Sequence, residues 1–137
     1  FHTFAEKITD KLFLSKREEC LSLITSICSS LPCPYCKSHA MDYIKKYKLE
    51  KVNSRRQLID FMFRFHNHVN IRTHKKPMEY SILKQYDKVY TINAINYLKQ
   101  ELFKTYYLSN NFSGWIRNML LKQLNDFFRE NINGFRR

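Results

Sequence analysis

Residues that turn a chain tightly are scarce here, with two Gly and three Pro in 137 residues. That scarcity excludes an architecture of many short strands and hairpins. Beside 44% hydrophobic and 15% aromatic residues, it points to long elements with few tight turns. An all-α fold is expected. Long apolar runs are also missing, since none approaches the roughly 20 residues that span a bilayer, and a membrane-spanning helix is not expected. No charged segment precedes an apolar stretch and a small-residue cleavage site, so the chain is expected to be soluble and to carry no visible secretion address. It begins at Phe1 rather than Met, which leaves a removed leader open. Cysteine is confined to residues 20–36, and four thiols so placed in an intracellular-looking chain favour catalysis or metal binding over a structural disulfide framework.

Acidic residues are few: 12 Asp and Glu face 24 Lys and Arg, giving a formal charge of +12. Such a balance suits nucleic acid, an anionic membrane surface or an acidic partner. The simpler account is a solvated surface, because Lys, Asn, Ile, Tyr and Phe are all abundant, as AT-rich coding produces. Residues 91–137 carry 7 basic and 3 acidic residues, a net of +4 that leaves +8 for residues 1–90, so the charge is no terminal nucleic-acid arm. No internal repeat or low-complexity segment is present.

Apolar residues recur at helical spacing. Phe1, Phe4, Ile8 and Leu12 mark one amphipathic helix over residues 1–14. A second is expected from Ser15 to Ser30, with Ser15 as N-cap, Glu18 completing a capping box, and Leu23, Ile27 and Leu31 on one side. Leu31-Pro32 breaks it. A third helix starts at Cys33-Pro34 and continues through Ala40, Tyr43, Ile44 and Tyr47. A fourth, capped by Asn53 or Ser54, carries the stripe Leu58, Met62, Phe65 and Val69. Beside it runs Ile59, Phe63, His66 and Asn70, apolar at first and polar in its last turn. Inward polar groups must bond to something, either one another and nearby backbone or a ligand. A shorter helical segment is expected from Glu79 to Val89, then helices over 91–108 and 112–131. Asn110, Asn111 and Ser113-Gly114 form the turn between these two. The last helix has a broad apolar face of Phe112, Trp115, Ile116, Met119, Leu120, Leu124, Phe127 and Phe128.

The densest chemistry is Cys33-Pro34-Tyr35-Cys36. At a helix start the unpaired amides and the positive end of the dipole favour a thiolate, so one of these thiols should have a lowered pKa. A CxxC pair is nevertheless a redox disulfide, half a zinc site or two buried thiols. With His66 and His68 it gives an arrangement whose gap between the pairs is far longer than in a zinc finger. Histidines at i and i+2 of a helix point about 200° apart and grip one ion poorly. Cys20 and Cys28 on one helix would lie roughly 12 Å apart, beyond the ~7 Å that a disulfide tolerates. They read as small buried apolar residues, with a bridge to another subunit left open.

FHTFA at residues 1–5, SSLPCPYCKSHA at 29–40 and FRFHNHVNIRTHKKP at 63–77 together resemble, in order and spacing, the Erv/ALR family of FAD-dependent sulfhydryl oxidases. His2 matches the family's LH-type histidine, Cys33 and Cys36 its CxxC, and His66, Asn67, Val69 and Asn70 its HNxVN motif. Arg72 and Lys76-Pro77 match the Arg/Lys and Lys-Pro that follow. The LPCPxCxxHA form, with His39 three residues after the second cysteine, is most similar to the short enzymes of large cytoplasmic DNA viruses.

The resemblance covers about residues 1–90 and implies an FAD-binding core, a four-helix bundle with a short fifth helix that usually dimerises. Residues 91–137 are then a C-terminal helical extension packed on the core or at a dimer interface. Membrane-surface binding through Arg117, Lys122 and Arg129 is the sharper alternative for that extension. His2, His39, His66, Asn67, Val69 and Asn70 become cofactor-binding residues, Arg72, Lys75 and Lys76 neutralise a pyrophosphate, and Tyr80 stacks on adenine. Catalysis is implied at Cys33, attacked by a substrate thiolate, and at Cys36, expelled toward the flavin with the helix start stabilising it. Oxygen is the final acceptor, with hydrogen peroxide formed.

The implied partner is a dithiol protein, thioredoxin-like or viral, and the implied location is the host cytoplasm or the virion, with no nucleic acid, membrane or metal. The sequence departs from the family in having no cysteine after Cys36, no second CxxC or CxC shuttle, and Tyr80 where a Trp is expected. In place of a shuttle, electrons are expected directly from a partner or through Cys20 of a neighbouring subunit. The rival reading is a basic helical nucleic-acid- or partner-binding module with a structural or zinc-bound CxxC.

Overall fold

In the computed structural model, the elements follow the apolar stripes, with breaks that local chemistry explains. Residues 1–108 and 114–136 are described; the turn expected at Asn110, Asn111 and Ser113, and the place of Phe112 on the last helix, lie outside them. The first stripe is two helices rather than one, α1 (His2–Lys7) and α2 (Asp10–Ser15). Ile8 leaves the helix in an extended conformation and forms an antiparallel bridge with Phe135. Thr9, also extended, caps α2 by accepting the Leu12 N–H at 3.2 Å. Two β-branched residues in succession suit extended backbone. The break is held by a distant partner, because the Thr9 N–H and hydroxyl both donate to the Gly134 carbonyl at 2.9 Å.

That break overturns the capping box expected at Ser15. Ser15 is instead the last residue of α2, its hydroxyl donating back to the Leu12 carbonyl at 3.0 Å. Helix α3 (Arg17–Ser29) begins after Lys16 without a side-chain cap, and Glu18 pairs with Arg17. Helix α4 (Pro34–Lys46) starts at the cysteine pair. At its far end Lys48, in the left-handed region at φ 55°, turns the chain into a 3-10 turn, Leu49–Lys51. Helix α5 (Arg55–Arg72) is capped by Ser54, which accepts the Gln57 N–H at 3.2 Å, while the Gln57 side chain accepts the Asn53 N–H at 2.9 Å. The short segment after Pro77 is a 3-10 helix, Tyr80–Lys88, followed by α6 (Thr91–Leu108), α7 (Gly114–Asn131) and a final 3-10 turn, Ile132–Gly134.

The fold is all-α. The bent pair α1–α2 packs with α3, α4 and α5 as a bundle, and the 3-10 segment Tyr80–Lys88 lies against α1. Leu58, Met62 and Phe65 of α5 are buried, with Val69 at the edge of the same core, and Leu23 and Ile27 of α3 are buried on the side of α6 and α7. Each such side chain contributes about 1.5–3 kcal/mol when fully buried. Tyr43 joins α4 to α5, its ring stacked on Phe65 at 4.8 Å and edge-on to Phe61 at 5.6 Å.

Helix α7 packs on α3. Leu120, Leu124, Phe127 and Phe128 are buried, and Phe4 of α1 meets Phe127, Phe128 and Phe135 at 5.5–6.2 Å. The broad apolar face expected for this helix therefore divides: Trp115, Ile116 and Met119 are exposed, because only the row through residues 120, 124 and 127 turns toward α3. Lys7, 2% exposed, donates to the Asp87 carbonyl at 2.5 Å and so ties α1 to the 3-10 segment. Among the described residues no helix is long and apolar enough to cross a membrane.

Cys20 and Cys28 lie in the α3 core with free thiols, and burial pushes each pKa up to about 12. Neither is presented at the surface, as a bridge to another subunit would require. Native reduced protein is therefore expected to take up two carbamidomethyl groups with iodoacetamide and four after denaturation, counted by mass spectrometry. A Cβ at Gly134 would stand 2.5–3.0 Å from Leu12 side-chain atoms, including its Cβ. Gly134→Ala is accordingly expected to destabilise the fold by about 1–3 kcal/mol in urea unfolding followed by circular dichroism.

Candidate active site

Cys33 occupies the N-cap of α4 in extended backbone, Pro34 fills the first helical position where no N–H is needed, and the Cys36 N–H donates to the Cys33 sulfur at 3.3 Å. A sulfur thus does what a serine or aspartate oxygen usually does at a cap. Both cysteines are exposed and free. The Cys33 thiol is lowered from its ordinary pKa, first by the hydrogen bond from the Cys36 thiol and then by the backbone amides of the helix start. The Cys36 thiol is raised, first because it donates that bond, while Arg72 opposes the rise. In the reduced pair the helix start therefore serves Cys33, and Cys36 finds its favourable charge in Arg72. Tyr35 projects from the same turn, 70% exposed, with His39 edge-on to its ring at 4.7 Å and the Arg72 guanidinium carbon 5.8 Å from its centre.

A second group of residues gathers where α1, the last turns of α5 and the 3-10 segment meet. His2, His66, Asn67 and Asn70 line a cleft of about 350 Å³ together with Phe63, Met78, Ile82, Gln85 and Tyr86. One hydrogen bond of 2.8 Å joins His2 Nε2 to His66 Nδ1, and the His2 ring stacks on both His66 at 5.0 Å and Tyr86 at 4.9 Å. Burial lowers the His2 pKa to about 4 and moves His66 in the same direction, so both imidazoles are neutral near pH 7 and one proton lies between them. Asn67 uses both ends of its amide on the backbone of Met78, donating to the carbonyl at 2.9 Å and accepting the N–H at 2.8 Å. It thereby folds the segment after Pro77 onto α5. Asn70 is buried at the cleft wall, and its carbonyl accepts the Lys75 N–H at 2.8 Å.

Other residues singled out in the sequence stand apart from this cleft. Val69 packs at the edge of the core, Lys75 and Lys76 are exposed, and His39 stands beside Tyr35 at the dithiol. Tyr80 turns to the far side, its hydroxyl donating to Asp60 at 2.5 Å, Arg56 over its ring at 5.7 Å and Phe63 edge-on at 4.9 Å. His68 packs against Tyr43 at 5.0 Å and does not converge with His66. Among the described residues no set of three His, Cys, Asp or Glu side chains is placed to hold a metal ion. Sequence reasoning missed Ile82, Gln85 and Tyr86, which close the cleft, and Tyr35, which borders the dithiol. The i, i+4 spacing of Ile82 and Tyr86 was a usable signal for an inward face.

The family model described as the Erv1 / Alr family matches residues 1–91, from α1 to the first residue of α6. The chain is similar to the putative FAD-linked sulfhydryl oxidase 096R of Invertebrate iridescent virus 3, 45% identical over 75 residues, which are 54% of this chain and 51% of that protein. The match thus spans about half the length of that relative. It is also similar to FAD-linked sulfhydryl oxidases of African swine fever virus. The Tick/Malawi isolate's protein is 33% identical and the Pig/Kenya isolate's 32%, each over 103 residues, 73% of this chain and 83% of the relative. No solved structure matches. With the family's span running from the His2 helix through the cysteine pair and the HNHVN turn to the end of the 3-10 segment, the chain belongs to the Erv1 / Alr family.

Proposed function

We propose that this protein is an FAD-linked thiol oxidase that forms disulfide bonds in partner proteins. The observation that carries the reading is an exposed dithiol at a helix start on the same chain as a cleft of neutral imidazoles, amides and aromatic faces. That cleft fits a flavin nucleotide: His2 and Tyr86 present ring faces to a planar system, and Asn70 and the His2–His66 pair present groups that match its polar edges. Lys75 and Lys76, exposed after α5, are proposed for the pyrophosphate, whereas the Arg72 guanidinium expected with them stands beside Tyr35 of the dithiol turn. His39 and Tyr80 are proposed as further contacts on the resemblance alone, and Val69 as the apolar support of the motif.

The chain's own step is thiol–disulfide exchange. A substrate thiolate attacks the Cys33 sulfur of the oxidised pair, the Cys33–Cys36 bond breaks, and its electrons leave on Cys36 as a thiolate. The second substrate thiolate then attacks the substrate sulfur of the mixed disulfide and releases Cys33 as a thiolate, which the amides at the start of α4 stabilise. Substrate leaves oxidised and the pair is left with two electrons. Bound FAD supplies the two-electron acceptor that the pair then needs and the route onward to oxygen, giving hydrogen peroxide. The proposed substrate class is a dithiol protein, thioredoxin-like or viral, engaged at the exposed cysteine pair. A homodimer acting in the host cytoplasm or virion, with residues 1–90 as the oxidase core and 91–137 as an extension packed on it, completes the reading. The rival basic binding module gains nothing from the site, whose cysteines are exposed and whose His66 and His68 diverge.

Purified protein is expected to show flavin absorbance and to consume oxygen with dithiothreitol. Cys33→Ser and Cys36→Ser should each abolish that uptake while keeping helical content. A colourless protein holding stoichiometric zinc would overturn the reading. A pH dependence follows from His2. Its folded pKa of about 4 lies below the ordinary 6.5, so the unfolded chain binds more protons between those values. The His2 contribution to thermal stability is expected to fall as pH drops from about 6.5 toward 4, to be complete above that window, and to be lost in His2→Gln.

A further inference from the structure

We propose that Arg72 serves the dithiol directly, stabilising Cys36 as the thiolate expelled when substrate attacks Cys33. The proposal rests on the thiol-oxidase reading and deepens it. Arg72 ends α5, yet its guanidinium lies 5.8 Å from the ring centre of Tyr35, the residue inside the CxxC, and its charge favours the Cys36 thiolate. Tyr35 is in turn braced by His39 at 4.7 Å. Among the described residues Arg72 has no carboxylate partner, its side chain is half-buried, and its Nε is buried unpaired. A guanidinium that has lost water without gaining a counterion is costly, and a neighbour that becomes anionic during the reaction relieves that cost. The groups that act on the Cys36 thiol are Cys33 from its own turn and Arg72 from α5, and of these Arg72 is the permanent cation.

The two sulfurs are then served unequally: the charge of Arg72 reaches both, and more strongly Cys36, while the helix amides reach chiefly Cys33. The amides of α4 point at Cys33 and stabilise its thiolate in the reduced pair. They give less to Cys36, and it is Cys36 that must accept the bonding electrons when the Cys33–Cys36 bond breaks. Arg72 supplies positive charge there, and the departing thiol's acidity controls the exchange rate. After the substrate's second thiol has expelled Cys33, both sulfurs have a stabilised anionic form, and two electrons are held without a proton having to be lost first from an opposed site.

The test is made on thiol chemistry rather than turnover. In Cys33→Ser protein, Cys36 is the reactive surface thiol, and its iodoacetamide rate is followed against pH, with Arg72 intact and as Arg72→Met, Arg72→Gln and Arg72→Lys. The expected result is a profile displaced upward by about one pH unit in the Met and Gln variants and restored in the Lys variant. On the otherwise wild-type chain, the first exchange with a dithiol should slow by about 10-fold or more in Arg72→Met. An unchanged alkylation profile in Met and Gln variants that retain their helical signal overturns the proposal, whether or not flavin is lost with them. Because alkylation needs neither flavin nor oxygen, a displaced profile in a protein without oxidase activity would keep the role of Arg72 while sinking the thiol-oxidase reading.

Discussion

The burial of one stripe on α5 sets the direction of every side chain at the site. Leu58, Met62 and Phe65 lock the rotation of the helix about its axis, and Tyr43 of α4 stacks on Phe65. From Phe65 the 100° step per residue sends His66, Asn67 and Asn70 toward α1 and the 3-10 segment, while Arg72, seven residues on, returns to the α4 side. Because α4 and α5 run in opposite directions, eight residues back from Tyr43 is Tyr35 and seven forward from Phe65 is Arg72, and those two meet. The dithiol and the cleft are thus two outlets of one core. A rotation of α5 by a single residue would disconnect both.

The same core explains how four cysteines come to behave differently. On α3 the thiols of Cys20 and Cys28 are buried in the core, and that burial, joined at Cys20 by the charge of Glu19, holds them protonated. At the start of α4 an exposed sulfur receives backbone N–H groups, and its neighbour receives a cation from another helix. Residue type fixes none of this; position relative to a helix end does. His2 is the converse case, an ordinary base that its surroundings keep neutral and that becomes half of a shared hydrogen bond.

What was legible in the sequence was local. The start of α4 at Cys33-Pro34, the Ser54 cap, the apolar rows of α5 and the polar last turn at His66 and Asn70 all follow from residues within a turn of one another. What was not legible depends on partners far along the chain. The Ile8–Thr9 break reads as a continuous helix until Gly134 and Phe135 are seen to occupy its backbone groups. Ser15 has the chemistry of a cap but is used by the helix that this break created. Asn67 has the chemistry of a ligand residue and is committed to Met78. Tyr80 and Tyr86 are both aromatic residues of one 3-10 segment, and only the docking of that segment on α1 decides which of them enters the cleft.

The antiparallel bridge between Ile8 and Phe135 bears on how the protein is made. Residues 134–136 are ribosome-exit material long after α1 has emerged, and they hold Thr9, Lys7 and the Phe4 ring cluster in place. Closing so large a loop carries an entropic cost that is recovered only when both sides are available. A nascent chain that already displays Cys33 and Cys36 therefore lacks a settled His2 and with it a finished cleft. The dithiol turn, whose contacts are local and to α5, can thus form before the cleft does, and the cleft is completed once residues 134–136 have joined α1.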